Sequence, residues 1–298
     1  MHEVQKRDQP QGDQHYLFGS DGIYRPSFQL QHRDDEYDAA GFDVLLRMQS
    51  EHFWYRGRHR FLLAEVRRQV DRSKNSAHTQ RACDLGGGCG GWIQYLRRYD
   101  AELFAELAIA DSSINALEHA RAVVGDAVRR YQIDLLQLQW RERWDALFLL
   151  DVLEHIPEDV EALRQIHQAL RPGGLLFVTT PALKFFWSYN DEVASHQRRY
   201  SKADFQQLAK QSGLELLNAR YFMFYLSPIL FVARRKRPEL QRMTAEEIRS
   251  LMGRTHRVPV SPINEALAAI FAMETPLGLW LPFPWGTSIL GVFRKPCA

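Results

Sequence analysis

Apolar residues recur at helical spacing from near Phe42 through Phe61, Leu62, Val66 and Val70, which predicts a long helix ending at a polar connector, residues 71–80. Beyond it, short apolar runs alternate with helical stripes. RACDL (81–85) predicts a first strand, a glycine turn follows, and Trp92, Ile93 and Leu96 mark a helix. LFAELAIAD (103–111) predicts a second strand, with Ile114, Leu117, Arg121 and Val124 at helical spacing after it. Residues 128–133 suit a third strand, and DALFLL (145–150) is an apolar run of the kind found in strands covered on both faces. VEALRQIHQAL (160–170) is an amphipathic helix stopped by Pro172, Gly173 and Gly174. GLLFVTT (174–180) is a fifth strand, a sixth falls at about 214–220, and SILGVFRK (288–295) is the last. The alternation predicts an α/β fold: a seven-stranded, mostly parallel sheet with helices on both faces. Ligands of such sheets bind at the carboxyl ends of the strands.

Residues 1–45 are polar with scattered aromatics and predict a loosely ordered N-terminal extension, leaving 46–298 as the main domain. Within it, 221–287 is far longer than a connection between two strands needs, and it predicts an apolar, α-helical cap insertion. YFMFYLSPILFVA (221–233) runs directly into Arg234, Arg235, Lys236 and Arg237, and ALAAIFAMETPLGLWLPFPW (266–285) lies near the end. Apolar aromatics beside a basic cluster suit peripheral membrane contact or a lipid-linked acceptor. Packing of both stretches into an ordinary helical subdomain, or into a homodimer interface, is the alternative. Both stretches are too short or too broken by Pro, Gly and Glu274 to predict a bilayer span.

Composition changes this picture little. The chain of 298 residues is 45% hydrophobic and 25% charged, enough for one large core or one core with an accessory lobe. A net charge of +2 is too weak a bias for a nucleic-acid partner, which needs clustered basic residues on one face. The polar start has no apolar run of signal-peptide length, and Cys83, Cys89 and Cys297 lack the spacing of a zinc site or a disulfide framework. The expected location is the cytoplasm, with the inner face of the membrane as the place for any peripheral contact.

Chemistry concentrates at the predicted strand ends. The first reads DLGGGCG, with Asp84 two positions before Gly86, then Gly88 and Gly90. A strand-to-helix turn needs residues tolerant of positive φ, and missing side chains let a ligand approach the backbone. The G-x-G-x-G spacing departs from the G-x-G-x-x-G of dinucleotide enzymes. Asp111 ends the second strand, where a carboxylate can accept from both ribose hydroxyls of a cofactor, or can cap the next helix beside Ser112 and Ser113. Asp134 follows the third strand, where it can accept an adenine amino group or sit as a solvated loop residue.

In joint order, DLGGGCG, AIADSS, DALFLLDVLEHIPED and LRPGGLLFVTTPA resemble the class I S-adenosylmethionine-dependent methyltransferases, a Rossmann-like group. The likeness covers roughly residues 46–220 and is strongest to small-molecule enzymes of the ubiquinone-biosynthesis O-methyltransferase type. It implies S-adenosylmethionine as cofactor, with Asp84, Gly86, Gly88 and Gly90 shaping the methionine end of the pocket. Asp111 would hold the ribose, Asp134 the adenine, and Leu150 and Asp151 would begin the loop that closes the pocket. EHFWYRGRHRFL (51–62) and FFWSYNDEVASHQRRYS (185–201) are similar to stretches of a subfamily tied to sugar and lipid-linked glycan pathways. The first offers Tyr55, Arg56 and Arg58 to clamp the cofactor carboxylate, or simply forms an amphipathic helix with a basic solvated face.

Two histidines are the catalytic candidates, because a hydroxyl acceptor needs a base with a pKa near neutrality. His155 follows the fourth strand with Asp151 and Glu154, and the resemblance adds a divalent-metal reading of those three, weakened by the shorter Asp151 arm; no metal is assigned. His196 stands with Asp191, Arg198, Arg199 and Tyr200 in a segment too polar for core, and the two arginines could instead receive a substrate phosphate or carboxylate. The expected activity is methyl transfer, O-directed, to a small or lipid- or sugar-linked metabolite. A cofactor-binding protein without turnover and a nicotinamide-dependent oxidoreductase are the competing classes, the latter disfavoured by the glycine spacing.

Overall fold

The computed structural model describes residues 13–28, 30, 40–70, 80–233, 242–244, 246–247 and 257–297; of residues 40–43 it describes the backbone alone. The four cations 234–237 lie outside the described residues. The parallel core of the sheet is β3 (Arg81–Leu85), β4 (Glu106–Asp111), β5 (Arg129–Gln132), β6 (Trp144–Leu150) and β7 (Leu170–Pro181). β9 (Ser288–Arg294) lies antiparallel between β7 and β8 (Glu215–Phe222). These are the seven expected strands.

The sheet nevertheless has nine, in the order β1-β2-β5-β4-β3-β6-β7-β9-β8. The two additional strands, β1 (Tyr16–Phe18) and β2 (Ile23–Pro26), come from the segment expected to be a loose extension. β2 adds parallel to β5, pairing Ile23 with Arg130, and β1 folds back antiparallel on β2. A buried network fixes this arm. Arg143 donates through Nε to Asp13 (3.1 Å) and through Nη2 to Glu106 (2.5 Å), while the Tyr131 hydroxyl donates to Asp13 (2.8 Å). Asp13 and Arg143 are both wholly buried, so removing Arg143 strands the desolvated Asp13 charge, a loss of about 3–5 kcal/mol.

Alternate strand residues feed the two faces. Cys83, Leu85, Trp144, Leu147 and Leu149 pack under α5 (Asp159–Ala169) and α7 (Lys202–Ser212). Ala82, Ala146, Phe148 and Leu150 pack under α2 (Phe53–Val70), α3 (Gly91–Tyr99) and α4 (Ile114–Val124). The helix expected from Phe42 to Val70 is two, α1 (Ala40–Glu51) and α2, parted at His52. The break is satisfied from far along the chain. Asn264 accepts from the Phe53 N–H (2.9 Å) and donates to the Glu51 carbonyl (2.9 Å). Shorter helices are α6 (Tyr189–Val193) and α8 (Ser227–Ala233).

The cap insertion contributes α8 and α9 (Ser261–Trp280). α9 lies along α2 and touches β8. Its approach requires a helical glycine: a Cβ on Gly57 would stand 2.0 Å from Cδ1 of Phe271. Arg68 donates to the Leu279 carbonyl (2.9 Å) and Arg220 to that of Gly278 (3.1 Å), two cations at the negative end of the α9 dipole.

Candidate functional site

Because β3, β4, β5, β6 and β7 run parallel, their carboxyl ends meet along one edge, and the loops there hold the candidate residues. The turn after β3 passes through Gly86 (φ 69°), Gly88 (φ 54°) and Gly90 (φ 85°), left-handed conformations that favour glycine. Gly90 then caps α3. A Cβ on Gly86 would strike Val152 at 2.5 Å, whereas one on Gly88 would meet nothing nearer than Leu45 at 3.9 Å. Gly88 therefore presents bare backbone to open space under α1, and Gln49 of α1 accepts from the Gly91 N–H (3.1 Å).

Asp111 is buried at the end of β4. Its carboxylate accepts from the Gly88 N–H (2.8 Å) and the Ser113 N–H (3.0 Å), so it binds the glycine turn to the next strand end. The cap of α4 is Ser113, whose hydroxyl accepts from the Ala116 N–H (3.3 Å); Asp111 is spared that duty. Asp84 is buried beneath the same turn with Oδ1 lacking a hydrogen-bond partner. Burial, with the Asp111 charge adding to it and Arg58 opposing, pushes its carboxyl up to about 8. Asp134 is half-buried after β5, where it accepts from the Leu136 N–H (2.8 Å); the neighbouring Ile133 N–H donates to the Asp111 carbonyl (2.9 Å).

Leu150 is buried at the end of β6, and Asp151 follows it in a left-handed conformation (φ 57°). Arg58 of α2 donates through Nη1 to Asp151, through Nη2 meets His59 (3.1 Å), and stacks over Trp54 and Tyr55. Of the three expected clamp residues, Arg58 thus reaches the strand edge, with its buried Nε lacking a partner, as does Oδ1 of Asp151. Arg56 does not reach it; its guanidinium grips Glu265 of α9 at 2.6 and 3.1 Å. Orphaned atoms on Asp84, Arg58 and Asp151 beside an open glycine cradle fit a bound ligand that carries both an ammonium and a carboxylate.

A second cluster adjoins the first. His155 ends a 3-10 turn, Leu153–His155, and its ring meets that of His196 edge-on with centroids 4.8 Å apart. His196 pairs through Nδ1 with Asp191 (3.0 Å), which also accepts from Arg199 Nε (2.7 Å) and Nη2 (2.9 Å) and from the Ser188 N–H (2.8 Å). These donors hold the Asp191 carboxyl well below the usual carboxylate range despite its burial. His155 is lowered to about 4, chiefly by desolvation and then by His196. Burial and the charge of Asp151 raise the Glu154 carboxyl, whose two oxygens have no hydrogen-bond partner. Among the described residues, Glu154, His155 and His196 form the group of donors, within 4.8 Å of one another, that could hold a metal ion. Asp151, the expected third member, is turned to Arg58 instead. The two arginines expected as alternative substrate anion receptors both have protein partners: Arg199 pairs with Asp191, and the partly exposed Arg198 with Asp159 (2.7 Å) and the Pro157 carbonyl (2.9 Å).

Asp191 and Gln49 are the residues whose roles the sequence concealed. Asp191 stands in a suggestive polar segment, but its two-sided grip on His196 and Arg199 depends on the fold of 188–199. Gln49 carries no signal at all.

Comparison with known proteins bears on this arrangement. A family model described as a methyltransferase domain matches residues 48–219. A ubiquinone biosynthesis O-methyltransferase of Nitrosospira multiformis is 30% identical over 101 residues, which are 32% of this chain and 41% of that protein. Among solved structures, a phosphoethanolamine N-methyltransferase of Haemonchus contortus in complex with S-adenosyl-L-methionine superposes with a TM-score of 0.55 at 17% identity, covering 92% of this chain and 62% of the other. A complex between the Haloferax volcanii Trm112 methyltransferase activator and its methyltransferase gives 0.55 at 15% identity, covering 89% and 100%. The structural likenesses establish the fold. With the family model spanning more than half of the sequence and the glycine turn, strand-end acids and sheet order in place, the chain belongs to the methyltransferase-domain family, of the S-adenosylmethionine-dependent class.

Proposed function

We propose that the protein transfers a methyl group from S-adenosylmethionine to a hydroxyl oxygen of a small, lipid-linked or sugar-linked metabolite in the cytoplasm. The observation that carries the O-directed reading is the Asp191–His196 pair beside the carboxyl ends of β6 and β7. Bound S-adenosylmethionine supplies an electrophilic methyl on a sulfonium, so the acceptor oxygen gains a C–O bond as the S–C bond breaks and S-adenosylhomocysteine leaves. The acceptor proton must depart in the same process. Asp191, ionised across the physiological range, accepts the Nδ1 proton of His196, and in the neutral ring Nε2 then carries the lone pair. His155 stays uncharged beside it, so a proton taken by His196 meets no second cation from that ring. In the cofactor site, Gly86, Gly88 and Gly90 would offer backbone to the methionine end and Asp84 would meet its ammonium. Arg58 would face its carboxylate, Asp111 the ribose and Asp134 the adenine, with Leu150 and Asp151 closing the pocket edge.

The test is transfer of a tritiated methyl group into lipid and metabolite extracts. His196→Ala should lower turnover by about 10²–10⁴-fold with S-adenosylhomocysteine affinity nearly unchanged. Asp191→Asn should cost less and displace the pH–rate profile. An active His196→Ala enzyme with an unshifted profile would remove the base from the mechanism. The convergence of Glu154, His155 and His196 favours one second reading, a divalent cation that aligns the acceptor. Loss of wild-type turnover in chelator, restored by Mg²⁺, would select it.

A further inference from the structure

α9 is built with its polarity reversed. Its polar side chains Asn264, Glu274 and Thr275 are buried, and two of them serve backbone breaks: Asn264 joins α1 to α2, and Glu274 accepts from the Tyr225 N–H (3.2 Å). Outward it carries Ile263 (55% exposed), Ala266, Met273 (61%), Leu277 (43%) and Trp280 (86%), which with the partly buried Ile270 are spaced by alternating steps of three and four residues. Six positions in this register form one stripe along the helix. Glu274 points inward, and the one exposed acid of the helix, Glu265, is paired with Arg56 beside the stripe. The chain continues into Leu281 (60% exposed), Pro282, Pro284 and Trp285, whose indole N–H donates to Ser227 at the start of α8 (3.2 Å). α8 in turn exposes Ile229 (59%) and Val232 (67%).

A helix apolar on every side is ordinarily enclosed on every side. Here one side is covered by α2 and β8 and the other by nothing among the described residues. The sequence joining α8 to α9 identifies the missing cover. Residues 234–257 contain eight Lys and Arg against three Glu, a net +5 in a chain whose total is +2. The positive charge is thus concentrated in the one connection that begins and ends at this apolar region. No helix among the described residues is long and apolar enough to cross a membrane. Apolar stripe, tryptophans at its end and the cations of the connecting sequence together match a surface that is apolar within and negatively charged at its rim.

We propose that the outward face of α9, with Trp280 and Trp285 at its end, docks the protein on the surface of an anionic phospholipid bilayer. The proposal is independent of the methyl-transfer reading. The experiment uses the full chain and flotation with vesicles of phosphatidylcholine alone or with phosphatidylglycerol added. Wild type should float with the anionic vesicles, and partition should fall about tenfold or more when Arg234, Arg235, Lys236 and Arg237 all become Gln. Leu277→Gln with Trp280→Gln should release it likewise, while S-adenosylhomocysteine binding, measured alongside, confirms that this variant is folded. Failure to float with either vesicle overturns the proposal. So does a dimer in light scattering that the Leu277→Gln, Trp280→Gln pair dissociates, for the stripe would then be covered by a second copy. Equal, salt-insensitive flotation with both vesicles overturns the anionic assignment.

Discussion

The proposed placement of Asp84 against the cofactor ammonium can be tested without any knowledge of the acceptor. Its carboxyl is buried under the glycine turn and raised to about 8, first by desolvation and then by the Asp111 charge, against the opposing pull of Arg58. At pH 6.5 a group with that value is about 97% protonated in the free protein. An ammonium brought against it favours the ionised form, so cofactor binding at that pH should expel close to one proton, about 0.9 or more. The sign follows from linkage: binding that releases a proton strengthens as pH rises, by up to about tenfold per unit between pH 6 and 7.5, and levels off once the free carboxyl is itself ionised near pH 8. Calorimetry of S-adenosylhomocysteine binding in two buffers of different ionisation enthalpy reads the proton directly. Asp84→Asn, which keeps shape but cannot ionise, should abolish both the buffer dependence and the pH slope while weakening binding. A buffer-independent enthalpy with flat affinity from pH 6 to 7.5 would refute the placement of Asp84 against the ammonium.

Two further expectations concern neighbouring features. Asp111→Ala removes the acceptor for the Gly88 and Ser113 N–H groups together with the proposed ribose contact, and should cost about 1–3 kcal/mol of cofactor binding; wild-type affinity by calorimetry would take Asp111 out of the site. Gly57→Val drives a side chain into the Phe271 ring and should destabilise the fold by about 1–3 kcal/mol in urea unfolding, with an unchanged midpoint refuting the close approach of α2 and α9.

Much of the fold was legible because its signals are local. After Asp145, the ALFLL of DALFLL is apolar at every position, and both faces of β6 are covered. The glycine turn announces itself by the residue type that its left-handed backbone favours. What escaped was set by distant partners. β1 and β2 have three and four residues, too few for an alternation to register, and they are strands only because β5 offers an edge and Arg143 a buried charge to Asp13. The apolar period runs unbroken through His52, while the side chain that ends α1 and begins α2 is Asn264, over two hundred residues away. The site divides in the same manner. Asp84, Asp111 and Arg58 could be nominated from strand ends and a motif, whereas the pairing of Asp151 with Arg58 rather than with the histidines depends on how α2 crosses the edge.

The placement of β2 beside β5 also sets an order of assembly. Ile23 pairs with Arg130, so the β1–β2 hairpin leaves the ribosome about a hundred residues before the strand on which it docks. At ribosomal rates that interval is roughly 5–20 s, long compared with the formation of any helix in between. The pairing of β3 with β4 spans a much shorter loop than that of β2 with β5, so the central strands can pair before the hairpin docks. The β1–β2 arm then joins late, and it covers the edge of β5 and leaves only the three-residue β1 as the outer strand.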